Sequence, residues 1–216
     1  MKLIILFFIG LTMFSNLVDM SQAQAQGAIF VSNLAQPSAG SRSVARNAWW
    51  AQGFQTGNNL NGYLLNSVQL RMNAPFGSAS GFDVSLFSWA GGYPSAELAV
   101  LNGPDPLIAD TYSYATTGVP LQPDSFYFVV VSAETPAASG SFSWSYAGNS
   151  LADSIDGWRY GPYTSYSNDG LNWTRTTWDF QFSINATVVP EPSSLAVFLT
   201  AGIIAANHFR RPRKRQ

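Results

Sequence analysis

The chain of 216 residues has no cysteine and a single histidine, His208. Disulfides, thiolate nucleophiles and thiolate ligands for metals are therefore excluded. Only 11% of the residues are charged. Between residues 26 and 189 there is no lysine or histidine, and ten acidic residues outnumber five arginines, which leaves a formal charge of −5. Because a basic surface is missing, we expect no nucleic acid among the partners.

The N-terminal segment has the composition of an export signal. Lys2 precedes an apolar run from Leu3 to Met13, and a polar stretch then ends in Ala23-Gln24-Ala25. This order predicts a signal peptide over residues 1–25 that is cleaved after Ala25. The alternative is a retained membrane anchor, but eleven residues of helix rise only about 16 Å, which is short for a bilayer.

The C-terminal segment predicts a membrane anchor. Pro190-Glu191-Pro192 interrupts any preceding strand, and residues 193–209 are mostly apolar, long enough as a helix for about 25 Å. A basic cluster follows at Arg210, Arg211, Arg213, Lys214 and Arg215, which keeps the end of the chain on the cytoplasmic side. The alternative is a buried amphipathic helix with a solvated basic end.

In order and position, this proline–glutamate–proline motif, short apolar helix and terminal basic cluster resemble the PEP-CTERM sorting signal of Gram-negative bacteria. The resemblance covers residues 190–216. It implies that an exosortase in the inner membrane recognises and cuts the tail near the motif, and it implies an association with exopolysaccharide. The expected location is the inner membrane before processing, and the cell surface or extracellular matrix afterwards.

Residues 26–189 make one domain, and their dominant pattern is alternation with period two. Val68, Leu70 and Met72 alternate with polar residues, as do aromatic residues near positions 144 and 180. Alternation of this kind predicts strands with one buried face, separated here by turns rich in glycine and proline. Phe126 to Val131 is apolar on both faces and predicts a central strand. We expect an all-β fold, an antiparallel β-sandwich with jelly-roll-like connections.

The segment Ala48–Met72 resembles the start of the choice-of-anchor R domains, which are extracellular and carry various C-terminal anchoring signals. The resemblance implies location and architecture but no mechanism. The residues that carry it are Phe54, Thr56, Gly57, Gly62, Tyr63, Leu65, Ser67, Val68 and Leu70.

The domain offers few groups for chemistry, and we identify no catalytic residue. A serine nucleophile needs a neighbouring base, and the usual bases are missing between residues 26 and 189. The carboxylate pairs Asp153/Asp156 and Asp169/Asp179 keep a secreted glycosidase as one alternative. Asp153, Asp156 and Asp169 are also weak candidates for calcium, although acidic residues in turns commonly bond their own backbone. No cofactor is otherwise expected.

Seven tryptophans are the most suggestive residues. Trp158, Tyr160 and Trp173 lie in a glycine-rich segment, where exposed rings could stack on sugars. The alternative is a loop that packs its own rings against the sandwich. The sequence therefore predicts a non-catalytic exported surface or matrix protein, and a carbohydrate-binding module is the second hypothesis.

Overall fold

A computed structural model describes residues 27–191, which contain strands and no helix. The all-β prediction is confirmed. Within this range, no helix could cross a membrane. The predicted cleavage residues Ala23 and Ala25, the helix at 193–209 and the basic cluster at 210–215 lie outside the described residues, and of the motif at 190–192 only Pro190 and Glu191 lie inside them.

The fourteen strands form two sheets in which every pairing is antiparallel. The strands are β1 (Ala28–Ser32), β2 (Ser38–Val44), β3 (Trp49–Gln55), β4 (Tyr63–Gly77), β5 (Phe82–Ala90), β6 (Tyr93–Leu101), β7 (Asp110–Leu121), β8 (Phe126–Ala133), β9 (Gly140–Ala147), β10 (Asp153–Ser154), β11 (Arg159–Ser167), β12 (Thr174–Thr176), β13 (Asp179–Phe180) and β14 (Phe182–Val188).

The eight-stranded sheet has the order β10-β1-β14-β4-β9-β13, with β2 also paired to β9 and β7 to β4. The six-stranded sheet has the order β12-β11-β3-β8-β5-β6. Several consecutive strands lie in opposite sheets, for example β4 and β5, or β8 and β9. The chain therefore crosses repeatedly between the two layers.

The inner faces of both sheets share one hydrophobic core, as expected for a β-sandwich. Val68 and Leu70 of β4 are fully buried in it, and so are Val84 and Leu86 of β5. Alternation explains this placement, because successive residues of a strand point to opposite faces and only the apolar set is withdrawn from water.

Strand β8 confirms the prediction of a central strand. It pairs with β3 on one side and with β5 on the other. Val129 and Val131 face the common core, whereas Phe128 and Val130 belong to a separate cluster on the outer face of the six-stranded sheet. A strand with apolar residues on both faces thus contributes to two hydrophobic clusters, the common core and a smaller cluster on the outer face.

Candidate functional site

The outer face of the six-stranded sheet carries a small hydrophobic cluster of its own. Ala51, Phe87, Phe128 and Val130 form it, with exposures of 8% or less. Trp49, Tyr163 and Trp173 pack against these residues from the side and are themselves only partly buried. An apolar face that is covered mainly by partly exposed rings is unusual for the solvent side of a sandwich, where polar residues normally alternate outward.

Strand register arranges this face in rows that run across the sheet. One row consists of small residues: Ser165 lies opposite Ala51, Ala51 opposite Val130, Val130 opposite Ser85, and Ser85 opposite Val100. The next row is bulkier, since Gly53 lies opposite Phe128, Phe128 opposite Phe87, and Phe87 opposite Glu97. A row of small side chains beside a row of rings produces a trough perpendicular to the strands.

This trough is an open groove, which we call the sheet groove, and it extends from β3 to β6. Val130, Ser85 and Ser132 line its floor, while Trp49 and Phe87 are the rings that border it. Three spacings between neighbouring strands give it a length of about 14 Å. Its volume of about 180 Å³ is below the roughly 300–1,000 Å³ of pockets that enclose a small molecule. A groove that is about 14 Å long but of small volume has room for a segment of an extended chain and does not enclose a small molecule.

Trp49 is held in place from two directions. Its indole Nε1 donates a hydrogen bond of 2.8 Å to the carbonyl oxygen of Arg46. Gly170, at φ +73°, lies against the six-membered part of the ring, where an added Cβ would come within 2.9 Å of Cζ3. Because only glycine fits there and tolerates this φ, the turn after β11 fixes the ring that borders the groove.

The ionisable residues that line the sheet groove are both acidic, Asp83 and Glu97. Partial burial raises the pKa of Asp83, and the nearby carboxylates of Glu134, Asp105 and Glu97 raise it further. Arg175, farther along the same face, has its guanidinium carbon 4.5 Å from the ring centre of Tyr163 and 5.6 Å from that of Tyr93. The charged side chains that line the groove are therefore acidic, and Arg175 places a positive charge farther along the same face.

The structure places Trp158 in the common core, with an exposure of 1%. Its ring lies parallel to that of Phe54 at 5.9 Å and stacks on Phe30 at 4.9 Å, while Tyr63 meets its edge. No face of the ring is free for a sugar. The segment packs its rings inward at this position, so we withdraw Trp158 as a glycan-binding candidate.

Tyr160 and Trp173 are separated by the fold. The Tyr160 hydroxyl lies within hydrogen-bond distance of two acceptors that share its single proton, Gln52 Oε1 at 2.9 Å and the carbonyl oxygen of Phe180 at 3.1 Å, and so links the two sheets. Burial raises the pKa of this phenol. Tyr160 thus has a structural role, and only Trp173 lies on the outer face, beside the cluster that borders the sheet groove.

The predicted acidic residues are distributed over both sheets. Asp153 belongs to β10 of the eight-stranded sheet and Asp156 to the turn after it, whereas Asp169 lies in the turn after β11 of the other sheet. Asp179 belongs to β13 and pairs with Ala147. Among residues 27–191, no three acidic or histidine side chains are grouped as metal ligands. The calcium and glycosidase hypotheses remain predictions.

Asp169 illustrates the turn chemistry that was expected of such residues. Its carboxylate accepts hydrogen bonds from the backbone N–H groups of Leu171 and Asn172, from Asn172 Nδ2 and from the Ser167 hydroxyl. These bonds, with the Asn172 backbone first, hold the pKa of Asp169 well below its usual range. The bonds stabilise the turn that carries Gly170, and thus act indirectly on Trp49.

Sequence reasoning did not select Trp49, Phe87, Asp83 or Glu97. The available signal was the strand Phe126–Ala133, whose outward residues Phe128 and Val130 needed cover. Alternation places Trp49 and Ala51 on the same outward side of β3, but the contribution of β5 and β6 depends on strand order.

A comparison of the chain with models of protein families, with curated proteins and with solved structures finds no match.

Proposed function

We propose that this chain is a non-catalytic, exported protein of the cell surface or extracellular matrix that associates with exopolysaccharide. A signal peptide at residues 1–25 directs export, and the segment 190–216 anchors the chain through a helix at about 193–209 until an exosortase-type enzyme processes it. The domain between them is a β-sandwich with jelly-roll-like connections, since consecutive strands repeatedly change sheets.

One observation carries this proposal. The first and last strands of the chain, β1 and β14, are neighbours in the eight-stranded sheet, with Ala28 opposite Ala186. Residues 27 and 188 therefore leave the sandwich at the same end. A domain attached in this way can be anchored by its last residues while the rest of the sandwich projects away from the membrane. The strands also begin and end close to the two predicted processing points.

The test is the intact mass and location of the full chain in a Gram-negative host that processes PEP-CTERM proteins. We expect a species that starts at Gln26, ends near Pro192 and is accessible to protease on intact cells. Replacement of all three residues 190–192 by alanine should leave the tail attached and the protein in the inner membrane. Pro136→Ala, in an exposed loop, is the matched control and should be processed normally. A folded cytosolic protein that retains residues 1–25 would overturn the proposal.

Carbohydrate binding is the second candidate function, and the sheet groove favours it. Its aromatic borders, serine hydroxyls and carboxylates combine the groups that bind the apolar faces and the hydroxyls of sugars. This combination replaces the segment around Trp158 as the reason to consider carbohydrate.

A further inference from the structure

We propose that the sheet groove binds one chain of a neutral polysaccharide, which lies across strands β3, β8, β5 and β6. In this arrangement the half-buried ring of Trp49 contacts the C–H face of a sugar ring, the largely buried Phe87 forms apolar wall on the opposite side of the groove, and Asp83, Glu97 and Ser85 hydrogen-bond the sugar hydroxyls. The inference deepens the proposed function and rests on it for the presence of a polysaccharide outside the cell.

The mixture of groups in the groove favours a sugar over a protein partner. Protein interfaces are depleted of charged residues at their centre, because an unpaired carboxylate is costly to desolvate. Here Asp83 and Glu97 line the same small groove as Trp49 and Val130. A sugar chain supplies hydroxyl donors for the carboxylates and apolar ring faces for the aromatic groups within a few ångströms of each other.

The charge of the groove favours a neutral chain over a uronate polymer. No lysine or arginine is among the residues that line it. Asp83 already has the carboxylates of Glu134, Asp105 and Glu97 near enough to disfavour its ionised form. An additional carboxylate on the ligand would be repelled by the same groups, whereas hydroxyl groups would be attracted.

Binding is measured by isothermal titration calorimetry on the full chain, purified in mild detergent. The probes are neutral hexasaccharides of glucose, mannose and galactose in several linkages, and hexamers of galacturonate and mannuronate as anionic counterparts. We expect at least one neutral hexamer to bind, and at least tenfold weaker binding of the uronates at low salt. Failure of every neutral hexamer to bind, or a preference for uronates, overturns the proposal.

Four variants locate the site. Trp49→Ala should weaken the binding of the neutral hexamer at least tenfold, and Trp178→Ala, in the connection directly before β13 of the eight-stranded sheet, is its matched control. The double variant Asp83→Asn, Glu97→Gln keeps the shape of two exposed side chains and should weaken binding at least threefold, with Asp153→Asn as control. Unchanged binding in both groove variants overturns the assignment. The acidic pair keeps the test valid if Trp49→Ala fails to fold.

The two proposals fail in different ways. A chain that reaches the cell surface with its tail processed but binds no neutral hexamer contradicts the groove assignment alone. A chain that binds the hexamer through Trp49 but stays in the cytosol contradicts the proposed function alone.

Discussion

The two outer faces of the sandwich differ in how their side chains find partners. On the eight-stranded sheet, polar side chains bond each other across strands. Asn66 Nδ2 donates to Asn185 Oδ1 at 3.0 Å, and the Ser183 hydroxyl donates to Gln69 Oε1 at 3.1 Å. On the six-stranded sheet, the corresponding positions hold Ala51, Phe87, Phe128 and Val130.

The difference indicates which outer face has side chains available to bind a ligand. Cross-strand polar pairs satisfy one another and gain little from a ligand, because any new bond replaces an existing one or a bond to water. At an open groove, by contrast, a ligand can cover the exposed apolar surface of a ring, and the removal of that surface from water is favourable. The buried interior sets the scale of stability loss against which residues on the two outer faces can be compared.

The largest effect is expected in the interior, at Trp158. Trp158→Ala should lower the free energy of unfolding by about 3–5 kcal/mol, because it leaves a cavity among the three rings of Phe30, Phe54 and Tyr63. Trp173→Ala, on the outer cluster, should cost about 1 kcal/mol, since its ring is partly in water already. Urea unfolding of the full chain in detergent, followed by fluorescence, measures both. Equal losses would mean that the outer cluster is as much a core as the interior.

A smaller effect is expected when the two outer faces are compared directly. Phe128→Ala should cost about 3 kcal/mol, since Phe128 is fully buried although it points outward. Gln69→Ala on the other sheet should cost about 1 kcal/mol or less, because water can replace its bond to Ser183. The same urea titrations decide the matter. A loss at Gln69 that matches the loss at Phe128 would remove the distinction between the faces.

The smallest effect concerns the pH dependence of stability. The pKa of Asp83 is raised above its ordinary 3.8 in the folded state, so the fold binds that proton more tightly and loses stability as pH rises through the raised value. Asp83→Asn should therefore be slightly more stable than the parent at pH 7, and the advantage should vanish near pH 3.

Asp169→Asn is the opposite case and serves as the control for Asp83. Because the pKa of Asp169 is lowered in the fold, its contribution is present above the ordinary value and is lost in acid. This variant should be less stable than the parent at pH 7, and the difference should shrink as pH falls. Melting temperatures at pH 3, 5 and 7 check both signs, and parallel curves for the two variants would contradict the assignment.

Much of the fold could be predicted because it depends on local alternation. The inward set Val68, Leu70 and Met72 is buried as expected, and Phe128 to Val131 occupy a central strand. Period two fixes which residues share a face, and burial of the apolar set then follows from the hydrophobic effect. The predicted roles of residues 1–25 and 190–216 remain predictions.

The site could not be predicted in the same way. Trp158 and Trp173 look alike in sequence, yet one lies in the core and the other on the outer face, because the packing of the β11 region decides which ring turns inward. The groove itself joins Trp49 to Glu97 across strands that are distant in sequence. Strand order is a non-local property, and no spacing of residues along the chain encodes it.

That the domain is all-β, acidic and without cysteine can be read from the amino-acid sequence, since composition and alternation act residue by residue. That β3, β8, β5 and β6 lie side by side follows from the folded arrangement of the strands. That order sets a row of small side chains next to a row of rings and brings Asp83 and Glu97 to the same groove. The physical reason is that strand pairing joins remote segments, whereas alternation chooses only the face.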